Sequence, residues 1–268
     1  PAFHVLWPGT DAEATLFARP AAADLPGAEL AKPGYVPAPI AMGTNTDPYQ
    51  PIERDWRITR DLVAILNETR HPLTITTKSH RVVRDIDLLG EMAKDDLVAV
   101  AISVTSLDPQ TARTLEPRAP APARRLAAIG ALAAAGIPVH VSVSPVVPAI
   151  TDHEIEHILA AAAAAGARSA FFIPVRLPHE VAPLFREWLD VHYPDRAAKV
   201  MAIVQSVRGG KDNDSRFFER MKPNGVWADV FRTRFRLACQ RLGLNRDQPA
   251  LDCTQFVRPE VGGQLRLF

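Results

Sequence analysis

The chain has 268 residues, 47% of them hydrophobic and 23% charged, with a formal net charge of +1. This length and balance predict a soluble protein built on one large α/β domain, with room for a small appendage. The sequence shows neither a run of about 18 apolar residues nor a charged leader before an apolar segment, which argues against a membrane span and a signal peptide and predicts a cytoplasmic protein. Cys239 and Cys253 lack C-x-x-C spacing and predict neither a disulfide framework nor a metal site.

Short apolar runs alternate with helical patterns from residue 22 to residue 174. Strands are predicted at 39–44, 73–77, 97–104, 138–144 and 169–174, and helices at 22–31, 55–69, 81–94, 121–135 and 152–165. Gly136 and Gly166 are the expected C-caps of the last two helices. Because a β/α unit begins with a strand, we expect one strand to be missing upstream. Six strands would form a partial (β/α)6 barrel, and this chain would carry it without its first strand.

Polar residues follow the predicted strands. Thr44 to Asp47 follow the first, Lys78 the second, Ser103 ends the third, Ser144 ends the fourth and Arg176 follows the fifth. Parallel strands of a β/α barrel present their carboxyl ends on one rim, where active sites lie. The pattern therefore predicts a site at this rim.

Four motifs occur in order along the middle of the chain: Thr46–Glu53 (T-D-P-Y-Q-P-I-E), Thr76–Ser79, Ser103–Asp108 and Leu115–Pro120. Together they resemble the DNA repair photolyase-like group of radical SAM proteins, relatives of spore photoproduct lyase, over nearly the whole chain. The resemblance implies a TIM-like partial barrel, a [4Fe-4S] cluster with one open iron, and bound S-adenosylmethionine. It also implies lyase-type radical chemistry, an electron donor such as ferredoxin or flavodoxin, and a DNA-associated role.

The same resemblance implies a role for each rim residue. The loop Thr44, Asn45, Thr46 and Asp47 would bind the ammonium group of S-adenosylmethionine, and Lys78 would face its carboxylate. Ser103 would bond the carboxylate or the ribose, with Arg118 and Ser144 in the surrounding polar shell. The alternative is that Asp47 is a turn residue and Lys78 a solvated charge at a strand end.

One departure from the family pattern concerns the cluster. The family's C-x3-C-x2-C loop, expected just before a segment resembling Pro1 to Leu6, is absent. We therefore expect this chain to be a fragment of a longer protein and to be inactive as it stands. Asn45 lies where spore photoproduct lyases carry a hydrogen-donating cysteine, which argues against spore photoproduct repair.

A rival motif is His153-Glu154-Ile155-Glu156-His157, a literal H-E-x-x-H that could serve a zinc-dependent hydrolase. Its place at a helix start also fits a capping box, in which Thr151 and Glu154 satisfy backbone N–H groups. Both interpretations stay open from the sequence.

The chain divides at the sequence level into a barrel (1–184), a basic helical extension (185–260) and a tail (261–268). Between Arg196 and Arg246 there are twelve Lys or Arg against four Asp or Glu, interleaved with aromatic residues. This composition suits DNA contact, or a helix that packs on the barrel with its arginines solvated. Gln264, Leu265, Leu267 and Phe268 match the Q-L-x-L-F peptide that docks on the DNA polymerase sliding clamp. A non-catalytic module that binds DNA or the clamp is the alternative function.

Overall fold

The computed structural model describes residues 24–214, 216, 222–247 and 250–259. Their centre is one parallel sheet with strand order β1-β2-β3-β4-β5. The strands are β1 Ile40–Met42, β2 Leu73–Thr77, β3 Val98–Ser103, β4 Val139–Val146 and β5 Ser169–Pro174. All five predicted strands are therefore confirmed, and their order follows the chain.

Helices connect and follow the strands. They are α1 Asp24–Leu30, α2 Glu53–Trp56, α3 Ile58–Glu68, α4 Ile86–Lys94, α5 Pro109–Leu115, α6 Pro122–Ala134, α7 Ile155–Ala164, α8 Val181–His192, α9 Pro194–Ser206 and α10 Val226–Leu242, with 3₁₀ helices at His80–Asp85 and Asp152–Glu154. Gly136, which follows the end of α6, has φ +78°, a conformation that costs glycine little. The predicted glycine C-cap is confirmed there.

Alternate residues of each strand face opposite sides of the sheet. Leu73 and Ile75 of β2 pair with Val98 and Val100 of β3, and all four are buried in the main core. This face packs under helices because each strand-helix-strand connection returns over the same side of the sheet. The opposite, concave face carries the intervening residues and is left for the site.

The helices after β5 pack in two separate places: α8 and α9 pack on each other, and α10 packs on the sheet. α8 and α9 form a second apolar cluster in which Phe185 and Leu189 pack with Val200 and Val204. α10 packs on the main core through Phe231 and Phe235, whose rings lie 4.8 and 4.9 Å from that of Phe172 in β5. The predicted boundary between residues 184 and 185 falls within α8.

Packing of α10 on the barrel was one of the two interpretations of the basic segment. The structure bears out this packing, because Phe231, Phe235 and Ala238 are buried, while Val230 and Leu242 on the same helix are exposed. No helix of the described part is long and apolar enough to cross a membrane. The tail residues Gln264 to Phe268 lie outside the described residues.

Candidate functional site

A cavity of about 530 Å³ opens where the five strands end. Its wall includes the loop 43–47 after β1, Lys78 after β2, Ser103 at the end of β3, Ser144 in β4 and Arg176 after β5. Cavities of this size accommodate small molecules and cofactors. The parallel sheet thus brings together residues from five separate parts of the sequence.

Seven of the eight residues expected to contact a cofactor line this cavity: Thr44, Asn45, Thr46, Asp47, Lys78, Ser103 and Ser144. Arg118, the eighth, is exposed in the segment between α5 and α6 and lies outside the cavity wall. The polar rim anticipated from the strand ends therefore exists. The contacts with a cofactor stay predictions.

The loop 43–47 passes very close to the backbone of β2. A Cβ atom on Gly43 would lie 1.9 Å from the carbonyl oxygen of Thr76, and the φ angle of Gly43 is +90°. Both the space and the backbone conformation require glycine at this position. The chain therefore ends β1 with a turn that places Thr44, Asn45 and Thr46 over the strand ends.

The carboxylate of Asp47 holds this loop against β2. Its Oδ1 accepts hydrogen bonds from Tyr49 N at 2.9 Å and Thr77 Oγ1 at 2.6 Å, and its Oδ2 accepts one from Lys78 N at 2.8 Å. These contacts occupy three of the roughly four acceptor positions of a carboxylate. Asp47 thus acts mainly as a turn residue, which was the alternative to contact with a cofactor, and it anchors the loop that lines the cavity.

A second anchor lies at the other end of the same motif. Glu53 accepts a hydrogen bond from Thr59 N at 3.0 Å and pairs with Arg84 at 3.3 Å, and Arg84 also donates to the Glu53 carbonyl oxygen at 2.6 Å. Tyr49 is buried between the two anchors, and its ring lies 5.7 Å from the Arg84 guanidinium carbon. Burial raises the pKa of Tyr49, so its phenol stays neutral. The motif therefore forms a fixed platform for the loop.

Lys78 is partly exposed, and it belongs to an ion-pair network that the sequence did not reveal. Its Nζ lies 2.8 Å from Glu116 Oε1, and Arg125 Nη2 lies 2.6 Å from Glu116 Oε2. Arg125, only 2% exposed, also donates to the carbonyl oxygens of Ser103 at 3.1 Å and Pro120 at 2.8 Å. Burial by itself raises the pKa of Glu116, but Lys78 and Arg125 outweigh it and hold that pKa below its ordinary value.

Small and hydroxyl-bearing residues form most of the concave face of the sheet beneath the cavity, with Phe171 of β5 at its side. The strand register places Thr76 beside Ala101, Ser103 beside Ser142, and Ser142 beside Phe171. Four of these five line the cavity. The signal was present in the alternation of polar and apolar residues within β2 and β4, and it identifies the face that meets a ligand.

The cysteines do not fit an iron-sulfur cluster. Such clusters are held by several thiolates, and this chain has two cysteines. Cys239 is buried in α10, where burial raises its pKa to about 11, and the Cys253 thiol contacts the carbonyl oxygen of Leu251. Within the ranges that the structure describes, no group of three or more His, Cys, Asp or Glu is arranged to hold a metal ion.

The H-E-x-x-H segment is divided between a 3₁₀ turn and the start of α7. Glu154 is buried and accepts hydrogen bonds from Ser106 Oγ at 2.6 Å and Leu107 N at 2.7 Å. Both oxygens of the would-be catalytic base are therefore engaged by the loop after β3. Thr151 accepts a hydrogen bond from Val147 N at 2.9 Å and does not cap the helix through its side chain, so the predicted capping box is wrong.

The basic α10 lies beside a second cavity, of about 570 Å³, between α9 and the loop after β4. Its wall includes His153, Arg196, Lys199, Asp152 and Trp227. The Trp227 Nε1 donates a hydrogen bond to Asp152 at 3.0 Å, which fixes the indole at the cavity edge. The wall therefore combines exposed cations with one held aromatic ring.

Residues 28–162 match the family model of the Radical SAM superfamily, which is half of the chain. The chain belongs to the radical SAM superfamily. An uncharacterized protein of Mycobacterium tuberculosis is 34% identical over 194 residues, which are 72% of this chain and 57% of that protein.

A second relative agrees in extent. An uncharacterized protein of Methanocaldococcus jannaschii is 27% identical over 174 residues, covering 62% of this chain and 61% of that protein. This chain therefore spans somewhat over half the length of these two relatives. A solved structure of a spore photoproduct lyase mutant superposes with a TM-score of 0.56 over 83% of this chain and 64% of that one, at 14% sequence identity. This likeness confirms the radical SAM partial-barrel fold.

Proposed function

We propose that this chain carries the S-adenosylmethionine-binding residues of a radical SAM enzyme. The observation that supports this most is the rim cavity, in which the loop 43–47, Lys78, Ser103 and Ser144 converge from separate strands of a radical SAM domain. The amino acid end of S-adenosylmethionine carries an ammonium group and a carboxylate. It needs acceptors and cationic donors close together, and this cavity provides both.

Each rim residue has a role that its position allows. The loop Thr44 to Thr46 offers backbone and hydroxyl oxygens to the ammonium group, while Asp47 keeps the loop in place from below. Lys78 faces the carboxylate. The hydroxyl groups of Ser103 and Ser144 lie on the neighbouring strand ends and complete the polar wall.

When bound and cleaved by an electron from a one-electron donor, S-adenosylmethionine would supply the abstraction of a substrate hydrogen. The residues of this chain would contribute by binding the amino acid end and by presenting Phe171, Ile173 and Pro145, which form an apolar part of the cavity wall beside the polar one. The two cysteines do not fit a cluster, so no step is assigned to one in this chain. The substrate, a role in DNA repair, and a ferredoxin or flavodoxin donor stay predictions.

Isothermal titration with S-adenosylhomocysteine tests the binding site without any need for turnover. Lys78→Met should weaken binding by about 1.5–3 kcal/mol, which is about 10- to 150-fold, the range for a hydrogen bond to a charged group. Lys94→Met is the matched control, because Lys94 lies in the last turn of α4, at the end of the sheet opposite the rim. Equal affinities in wild type and Lys78→Met would remove Lys78 from the site.

A second role, contact with DNA, is favoured by the cavity beside α10. Its exposed Arg196 and Lys199 suit phosphate groups, and Trp227 offers an aromatic edge for a base. Fluorescence anisotropy with a single-stranded oligonucleotide should show weaker binding and a shallower salt dependence for Lys199→Ala. Arg236→Ala is the control, because Arg236 is exposed on α10 and does not line this cavity; this change should leave the affinity and its salt dependence unchanged. Equal losses in both variants would indicate nonspecific charge attraction.

Docking of the tail on a sliding clamp is a separate proposal from the sequence. The residues Gln264, Leu265, Leu267 and Phe268 supply one hydrogen-bonding and three apolar side chains. Deleting 264–268 should abolish clamp association in a pull-down and shift the melting temperature by less than about 2 °C. A large loss of thermal stability without detectable clamp binding by the intact chain would mean that the tail packs on the domain. A chain that binds DNA or the clamp but no S-adenosylhomocysteine would be the non-catalytic module.

A further inference from the structure

The buried network behind Lys78 is more elaborate than a strand-end salt bridge requires. Glu116 lies between two cations, with Lys78 on one oxygen and Arg125 on the other. The hydroxyl of Thr105 lies 3.0 Å from the same oxygen that Lys78 contacts. The Glu116 side chain is 8% exposed and that of Lys78 is 39% exposed, so the network runs from the interior to the cavity wall.

We propose that Glu116 is a positioning residue for Lys78, and that Arg125 fixes the Glu116 carboxylate so that the Lys78 ammonium group stays directed along the cavity wall. This inference rests on the proposed function, since it assigns Lys78 the carboxylate of S-adenosylmethionine. Glu116 itself does not line the cavity and would act only through Lys78.

The charges of the network support this role. Two cations share one carboxylate, so the three groups together keep one net positive charge. A lysine paired alone with a carboxylate would offer a ligand carboxylate little attraction. Because Arg125 satisfies one Glu116 oxygen and is itself bonded to the carbonyl oxygens of Ser103 and Pro120, the Glu116 carboxylate is held in one orientation.

Orientation has an energetic benefit because a free lysine side chain has many rotamers. Ordering such a side chain on ligand binding has an entropic cost, which falls when the chain is already held. Glu116 accepts from one of the three ammonium donors of Lys78, and the others stay available to a ligand. A carboxylate entering the cavity would therefore meet a lysine that is already in place.

Two substitutions separate positioning from simple charge. Glu116→Gln removes the negative charge and keeps the shape, whereas Glu116→Asp keeps the charge and shortens the side chain, so that it no longer reaches both cations. If Glu116 mattered only as a charge, Glu116→Gln would tighten the binding of an anionic ligand and Glu116→Asp would change nothing. Positioning predicts weaker binding in both variants.

The measurement is isothermal titration with two ligands. S-adenosylhomocysteine carries the amino acid end, and 5′-methylthioadenosine lacks it. We expect both variants to lose about tenfold or more in affinity for S-adenosylhomocysteine and less than about twofold for 5′-methylthioadenosine. Equal losses for the two ligands would mean that Glu116 only supports the fold. Unchanged or tighter S-adenosylhomocysteine binding would overturn the inference while leaving the proposed function intact.

Absence of S-adenosylhomocysteine binding by the wild type would overturn both proposals. Circular dichroism and melting curves establish whether the variants fold. If neither does, competitive acetylation of the wild type with peptide mass spectrometry decides. Lys78 should then acetylate several-fold more slowly than the exposed Lys94, because an ammonium group paired with Glu116 is protected. Equal acetylation rates would show that the pair does not hold Lys78.

Discussion

Replacement of Asp47 by Asn tests whether one carboxylate holds the cavity loop in place. In the wild type this carboxylate accepts hydrogen bonds from Tyr49 N, Thr77 Oγ1 and Lys78 N at 2.6–2.9 Å. Asn has the same shape but a single acceptor oxygen, and its NH₂ group is a donor. If the oxygen stays with Tyr49 and Thr77, the NH₂ group faces Lys78 N.

Two donors then meet at the point where the loop joins β2. An unsatisfied, partly buried N–H group costs about 1–3 kcal/mol, and the two retained hydrogen bonds weaken because their acceptor is no longer charged. We expect Asp47→Asn to lower the free energy of unfolding by about 2–3 kcal/mol. For a chain of this size that corresponds to a fall in melting temperature of about 4–12 °C.

The assay combines thermal melting with S-adenosylhomocysteine titration. Asp55→Asn is the matched control, because Asp55 follows the same motif but is exposed and pairs with its neighbour Arg54. Exposed pairs contribute little, so this control should melt within about 1 °C of the wild type. We expect Asp47→Asn to weaken ligand binding at least about tenfold, since the loop loses its anchor. Melting and binding like those of the control would refute this account of Asp47.

Three further predictions concern the backbone, the pH dependence and the H-E-x-x-H segment. Gly43→Ala should abolish S-adenosylhomocysteine binding, because the added Cβ would lie 1.9 Å from a carbonyl oxygen. Gly34→Ala is the control: Gly34 also has a positive φ, but nothing lies within 4 Å of an added Cβ, so this variant should bind normally. Equal binding by the two variants would argue against the close approach. Burial lowers the pKa of His71, so the unfolded state binds more protons below about pH 6.5 and stability should fall as the pH drops from about 7.5 to 5.5. Melting curves of His71→Asn should show a smaller fall, and an unchanged slope would assign the effect elsewhere. Glu154→Gln should lower the free energy of unfolding by about 1–3 kcal/mol without changing the amount of bound zinc. His157→Ala should have little effect on stability or on bound zinc. Stoichiometric zinc in the wild type that is lost in both variants would restore the hydrolase interpretation.

The strands were predictable because each is a short apolar run between turn signals. The helix predicted at 55–69 is also present, but it begins at Ile58, after the separate four-residue α2. α2 and α5 were not predicted, since four and seven residues are too few to show helical periodicity. The predicted helix at 81–94 is a 3₁₀ helix as far as Asp85 and an α-helix from Ile86. The local sequence pattern predicted the position of this helix but not that its first part is a 3₁₀ helix.

The site was predictable where it follows directly from the strand ends. Lys78 and Ser103 were identified because each stands at the carboxyl end of a strand. Glu116 and Arg125 were missed as members of the site, because they reach Lys78 only through the folded connection between β3 and β4. A glutamate followed by proline between α5 and α6 was the signal available, and it does not indicate which residue the glutamate contacts.

The motif Thr46–Glu53, one of the four that resemble the family, contributes to the site mainly because hydrogen bonds fix it at both ends. Asp47 is bonded to β2, and Glu53 is bonded to Arg84 and to the start of α3, so the chain between them cannot shift independently of the sheet. Residues 44–46 extend from this platform over the cavity and are exposed. A loop fixed in this way can present backbone oxygens without reorganisation when a ligand binds, which is the property that preorganised sites require. The acidic residues of the motif are therefore needed for the shape of the site, while Lys78 and the hydroxyl groups around it provide the contacts.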